Sequence, residues 1–269
     1  MISSPIEQQI VIRTDASRVL GTGHVMRCLA LADQLSNQGA QVTFICREFP
    51  GHLMDYIKQH GYPVLRLDES NGRTREGKLV RKADWEWDAE QTGRLLSQLP
   101  QIDWLVVDHY ELDWRWQRKV RTLVQKVLVI DDLANRKHEC DALLDQNLYE
   151  NMEHRYAGLI PKHCHTFFGP AHVLLREEFE EARKTLKTRD GKVERILISF
   201  GGVDQSNETI KAVRAVESLG RAAPPGLTID VVVGKNHPNK HEIAQYCAAH
   251  PRFTYHCQIN YMAGLMKEA

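Results

Sequence analysis

The feature that most constrains this chain's fold is a set of short apolar runs, each followed by a polar turn and a helical stretch. The first run is QIVIRTD (9–15), in which Ile10, Val11 and Ile12 leave no polar face. A strand apolar on both faces has to be covered on both, as in a parallel sheet flanked by helices. QVTFIC (41–46), YPVLRL (62–67), WLVVDHY (104–110) and KVLVIDD (126–132) read in the same way, with DALLDQN (141–147) as a short last strand. Between the first two, Val25, Cys28, Leu29, Ala32 and Leu35 recur at helical spacing, and Gly39 stands where a C-terminal cap belongs. Residues 52–61, 85–99 and 113–124 also read as helix, and the polar, glycine-bearing segment 68–83 as loop.

A charged stretch at 180–194 separates this series from a second one. The second runs RILISFGG (195–202), helix over 206–219, LTIDVVVG (227–234), helix over 239–249, RFTYH (252–256), and a helix starting near Asn260. This alternation predicts two doubly wound, Rossmann-like α/β domains in tandem with a cleft between them, over 1–180 and 195–269. The second series halts after three strands, so its sheet is expected to be incomplete at the C-terminus.

Charge narrows the partners. Lys plus Arg and Asp plus Glu number 35 each, which removes the electrostatic case for binding nucleic acid or an acidic membrane. No apolar run approaches the length of a membrane span, and MISSPIEQQ lacks the basic and apolar regions of a secretory signal. The six cysteines (28, 46, 140, 164, 247, 257) form no CxxC pair, so reduced thiols in a cytoplasmic protein are expected.

Ligands of doubly wound sheets bind beyond the carboxyl ends of the strands. That rule selects TDASRVLGTGH, DHY (108–110), DDLANR (131–136) and GGVDQSN (201–207). In the first, Gly21 and Gly23 leave room for a ligand, and the following helix offers N–H groups and a partial positive charge suited to phosphate. Met26 stands where a dinucleotide fingerprint needs its third glycine, and no Gly-Lys-Ser/Thr completes a Walker loop. What remains is an anion-friendly turn carrying an imidazole. The positive helix end favours the neutral form of His24, which can then accept a proton, although a histidine here can also simply cap the helix or fill a crevice.

Asp108 and Tyr110 share one strand face if extended geometry persists. Asp108 beside His109 does not amount to a metal site, since no further ligand stands at a suitable spacing. Gly201 and Gly202 repeat the glycine-to-helix logic, with Asp204 or Ser206 as the alternative, a plain N-cap. The histidines at 138, 154, 163, 165, 172, 237, 241, 250 and 256 lie mostly in polar stretches and are expected at the surface, and the tryptophans of WEWDAEQ and DWRWQR are expected to anchor packing.

Taken together, IRTDASRVLGTGHVMRCLALADQL, VVDHYELD, VLVIDDLANRKHECDALLDQN, FGPAHVLLREEF and ISFGGVDQSN closely resemble the UDP-sugar hydrolase family of pseudaminic acid biosynthesis. That family is related in fold to the GT-B glycosyltransferases of the MurG type. The resemblance is collinear across nearly the whole chain. It implies hydrolysis of UDP-2,4-diacetamido-2,4,6-trideoxy-β-L-altropyranose to UDP and the free sugar, in a pathway feeding flagellin or surface-polysaccharide glycosylation. By matching position it makes His24 the base that activates water and Tyr110 a holder of that water, with Asp15 and Asp108 shaping the site. Gly21, Gly23, Arg27, Asp131, Asn147, Gly201, Gly202 and Asp204 would contact substrate, and Arg176 and Glu177 would border the domain junction.

UDP leaves readily, so a neutral imidazole delivering water to the opposite face of the anomeric carbon would give inversion without a strong acid. No metal or cofactor is required, the partners are the UDP-sugar and water, and a monomer is expected. The resemblance implies a second domain that continues beyond the point where this chain ends, so a truncated chain, a natural fragment or a frameshifted gene product is expected. Glu111 departs from the glycine that often follows DHY in the family. The alternatives are a GT-B glycosyltransferase using a UDP-amino sugar, disfavoured by the lack of a basic amphipathic stretch for a lipid acceptor, and an inactive sugar-nucleotide-binding protein.

Overall fold

The computed structural model describes residues 8–67, 85–204 and 206–269, so the loop expected over 68–83 lies outside the described residues. The chain divides into two compact units, Met1–Ser17 with His24–Leu174, and Arg18–Gly23 with Leu175–Ala269.

In the first unit the strands are β1 (Gln9–Thr14), β2 (Gln41–Arg47), β3 (Val64–Leu67), β4 (Ile102–Asp108), β5 (Val124–Ile130), β6 (Ala142–Asp145) and β7 (His165–Phe168). They form one parallel sheet in the order β3-β2-β1-β4-β5-β6-β7. The connecting helices are α1 (Gly23–Asn37), α2 (Met54–Gln59), α3 (Trp85–Leu96) and α4 (Trp114–Val120). Side-chain alternation divides the core between two faces. Ile10, Ile12 and Val106 pack with Val25, Cys28 and Leu29 of α1, whereas Val11, Leu105, Val107, Val127 and Val129 pack with Ala89 and Leu96 of α3 and Trp116 of α4. The same alternation carries on past the apolar residues and decides which face each charged residue at a strand end meets.

Two elements differ from the sequence expectation. Strand β7, not Ala142–Asp145, is the last of the sheet. It is an edge strand with mostly exposed side chains, so it carries no apolar run to betray it. Part of the charged stretch at 180–194 belongs to a helix, α5 (Glu177–Lys184). Its first turn holds Glu177, Glu178 and Glu180, and Lys184 pairs with Glu180 and Glu181 one turn back, which suits the helix dipole and side-chain spacing.

The second unit has a three-stranded parallel sheet, β10-β9-β8, built from β8 (Arg195–Ile198), β9 (Thr228–Val233) and β10 (Phe253–Cys257). Helices α6 (Glu208–Ser218), α7 (Lys240–Ala249) and α8 (Met262–Glu268) complete it. Ile198, Val213, Ile229, Val231, Ile243 and Phe253 form its core. After β9 the backbone at Gly234 runs so close to Gly202 that any Cβ there would collide with the Gly202 carbonyl. The two loops at the carboxyl ends of β8 and β9 are thereby brought side by side.

Candidate active site around His24

His24 is the second residue of α1 and is buried. Its Nδ1 lies 2.6 Å from Oδ1 of Asp108, the last residue of β4. Asp108 is fully buried and is gripped by Arg27, one helical turn beyond His24, with Nε to Oδ2 and Nη2 to Oδ1 both at 2.6 Å. Burial alone would raise the Asp108 carboxyl, but hydrogen bonds from Arg27 and His24 outweigh it and hold the group below the ordinary carboxylate range. An ionised carboxylate only accepts, so the short contact requires the hydrogen on Nδ1, and in the neutral ring the lone pair then lies on Nε2. Among the described residues no hydrogen bond engages Nε2.

The ring of Tyr110 meets the imidazole edge-on, with centroids 4.5 Å apart. The Tyr110 hydroxyl donates to Asp132 at 3.3 Å, as does the side-chain amide of Asn147 at the same distance. Burial, followed by the charge of Asp132, pushes the phenol up to about 12. Tyr110 is therefore a neutral donor whose oxygen lone pairs remain able to receive a hydrogen bond. His24, Arg27, Asp108 and Tyr110 form one cluster, joined to Asn147 through Asp132.

Asp15 is placed elsewhere. It follows the alternation of Val11 and Arg13 onto the α3 side of the sheet, together with His109, whose Nε2 is 3.3 Å from Asp15 Oδ2. Arg13, buried completely, forks onto Asp15 at 2.6 and 2.8 Å and reaches Asp88 of α3 at 2.7 Å. The Arg47 backbone N–H donates to Asp15 and its guanidinium to Asp88, both at 2.6 Å, and Trp116 Nε1 donates to Asp88 at 2.8 Å. Burial opposes ionisation of Asp15, yet Arg13 and His109 hold its carboxyl well below the ordinary range. All its oxygens face protein partners, an arrangement that braces the first loop.

Asp131 is likewise engaged internally. It receives the Ala134 N–H and the Tyr156 hydroxyl at 3.0 Å each, and Arg136 sits 2.8 Å from its other oxygen.

In the second unit, Gly21 and Gly201 have φ of +79° and +80°, and space for a side chain is open at both and at Gly23. Gly202 is tighter, since a Cβ there would come 3.0 Å from Thr22 Oγ1. Asp204 accepts from the N–H groups of Glu208 and Thr209 and from the Thr209 hydroxyl, at 2.9, 2.8 and 2.6 Å. Burial works against its charge, and the Thr209 bonds bring it down to about 2. Asp204 thereby takes up the first N–H groups of α6, whose N-cap residue is Asn207 and not the Asp204 or Ser206 expected from sequence. Arg176 precedes α5 and pairs with Glu178 at 2.7 Å, while Glu177 opens the helix and is exposed.

No family model matches the chain. The UDP-2,4-diacetamido-2,4,6-trideoxy-beta-L-altropyranose hydrolase of Campylobacter jejuni is 27% identical over 265 residues, covering 97% of this chain and 82% of that protein. The chain is similar to a UDP-sugar hydrolase along nearly its whole length. An uncharacterised protein of Methanocaldococcus jannaschii is 22% identical over 266 residues, and the chain spans 50% of its length. Among solved structures, MurG of Acinetobacter baumannii has a TM-score of 0.52 at 17% identity, and a glycosyltransferase of Rickettsia africae 0.54 at 12%. Each covers 97% of this chain, which spans 71% of either structure. The fold is thus the α/β fold found in these glycosyltransferases.

Two histidines expected at the surface are buried. His138 packs against Gln117, with Nδ1 3.0 Å from its amide, and His237 lies 3.3 Å from Asp204 while its Nδ1 accepts the Asn239 N–H. Their flanking residues are polar, but their own partners come from other elements. Sequence reasoning also missed Arg13 and Asp88. The usable signal was an arginine inside an apolar strand, since a buried guanidinium requires a buried anion. No helix among the described residues is long and apolar enough to cross a membrane.

Proposed function

We propose that this chain hydrolyses UDP-2,4-diacetamido-2,4,6-trideoxy-β-L-altropyranose, releasing UDP and the free diacetamido sugar in the cytoplasm. The observation that carries this reading is His24 itself, with Nδ1 tied to a clamped carboxylate and Nε2 left without a hydrogen bond from the described residues. The 27% identity to the Campylobacter jejuni hydrolase supports the choice of substrate.

In this mechanism Nε2 takes a proton from water as the water oxygen attacks the anomeric carbon. The carbon–oxygen bond to the β-phosphate breaks, and its electron pair leaves on UDP with inversion at the sugar. Asp108 fixes the tautomer and stabilises the imidazolium once formed, and Tyr110 borders the water. We assign diphosphate recognition to the backbone at Gly21, Gly23, Gly201 and Gly202, all but the last of which are open, with helix N-termini offsetting the charge that develops. Arg176 and Glu177 are assigned a supporting part in substrate binding. Asp15 and Asp204 brace the loops that bear the site, because both oxygens of each accept hydrogen bonds, and Asp131 does so through one hydrogen-bonded oxygen and an ion pair to Arg136 at the other.

Turnover of the purified sugar nucleotide tests this reading. The chain is expected to release UDP, and His24→Gln to lose about 100-fold or more of kcat. Persistence of wild-type turnover in His24→Gln contradicts the assignment, as does sugar transfer to an added acceptor in place of hydrolysis.

A further inference from the structure

Arg27 stands in the sequence as a candidate ligand for an anionic substrate, and the structure directs its guanidinium elsewhere. Both of its hydrogen bonds to Asp108 are 2.6 Å long, and they occupy both carboxylate oxygens. Asp108 Oδ1 is shared, receiving Arg27 Nη2 and His24 Nδ1 at the same 2.6 Å. Nη2 also lies 3.1 Å from Nδ1. Guanidinium nitrogens donate and never accept, so this last contact is a close approach between two donors that both point at one oxygen.

We infer that Arg27 is a positioning residue for the hydrolysis proposed above, one that acts on His24 through Asp108. A carboxylate held at one oxygen can rotate about its Cβ–Cγ bond, whereas a bidentate guanidinium fixes its plane. The fixed plane presents Oδ1 to Nδ1, and that oxygen holds the imidazole in the Nδ1–H form with its Nε2 lone pair free. The guanidinium charge also balances the carboxylate, so the imidazole faces a paired anion and not a bare one. The other titratable groups around the ring are consistent with this division. Tyr110 is a neutral phenol, Asp132 lies beyond it at the far side of the Tyr110 hydroxyl, and burial together with Asp108 raises the neighbouring Cys28 thiol so that it stays protonated. Among the described residues, Arg27 is the cation recorded clamping Asp108. The inference rests on the hydrolase reading for its consequence, but its structural content can be measured without substrate.

The experiment records the ring-nitrogen NMR signals of 15N-histidine-labelled protein at pH 9, with His24 assigned by comparison with His24→Gln. Wild type is expected to show His24 as the Nδ1–H tautomer. Arg27→Lys keeps the positive charge and the fold but not the planar fork. In it, an appreciable Nε2–H population is expected, with kcat at least about tenfold lower and KM within about twofold of wild type. Arg27→Gln is expected to move the tautomer balance further. If Arg27→Gln is too unstable to purify, Arg27→Lys alone decides the matter. A wild-type tautomer signature in folded Arg27→Lys overturns the inference. A raised KM with unchanged kcat overturns it too, and returns Arg27 to the role of substrate ligand. Should the wild-type chain show no turnover at all, the hydrolase reading fails while the tautomer measurement still decides what Arg27 does.

Discussion

His24, Asp108 and Tyr110 owe their meeting to two periodicities. Along β4, side chains at 106 and 108 turn to the α1 face and 105, 107 and 109 to the α3 face. Along α1, His24 and Arg27 are three apart, close enough to grip the same carboxylate. The Gly-Thr-Gly-His turn and the Asp-His-Tyr strand end are legible in sequence because they follow apolar runs. The clamp on Asp108 is not, because a lone arginine on a helix carries no mark of what it faces. Asp15, which the resemblance places among the residues shaping the site, follows strand alternation to the opposite face with Arg13 and His109. For Tyr110, replacement by Phe keeps the ring against His24 and removes the hydroxyl that donates to Asp132. A loss of about tenfold in kcat is expected. With the phenol held near 12, the wild-type rate profile is expected to show no tyrosine limb below pH 10, which steady-state kinetics from pH 6 to 10 will check.

At the scale of elements, the buried ion cluster binds β1, β2, α3 and α4 of the first unit through Arg13, Arg47, Asp88 and Trp116. Burial opposes the charge of Asp88, but Arg13 first and Arg47 after it hold the carboxyl at about 2, against 3.8 in the free residue. A carboxyl lowered in the folded state adds stability that is complete above its unfolded value and fades as pH falls through the folded one. The first unit is therefore expected to lose about 2 kcal/mol between pH 4 and pH 2 from this group. Asp88→Asn is expected to be less stable at neutral pH and less sensitive across that acid range. Denaturant melts of both proteins from pH 2 to 7 provide the comparison, and equal acid slopes would count against the account. The elements themselves were largely visible in the sequence, since continuous apolar runs have only buried strands or helices to become. Strand β7 and helix α5 were not, one because an edge strand needs no apolar face and the other because the side of the helix that packs on α8 is only half-buried and lies among charged residues.

At the scale of the molecule, two α/β units were legible from the repeated strand–helix alternation, and the likeness to glycosyltransferase structures is a likeness of fold. Fold alone leaves open whether a sugar goes to water or to an acceptor. The function proposed above takes water as the nucleophile, and it starts from an imidazole tied to Asp108 through Nδ1 with the Tyr110 ring against its edge. The central claim is attack by water on the anomeric carbon. Turnover of the sugar nucleotide in H2-18O, with mass spectrometry of both products, tests it most directly. 18O is expected at the anomeric carbon of the released diacetamido sugar and none in UDP. Label in the UDP phosphate, or substrate left intact, would contradict it.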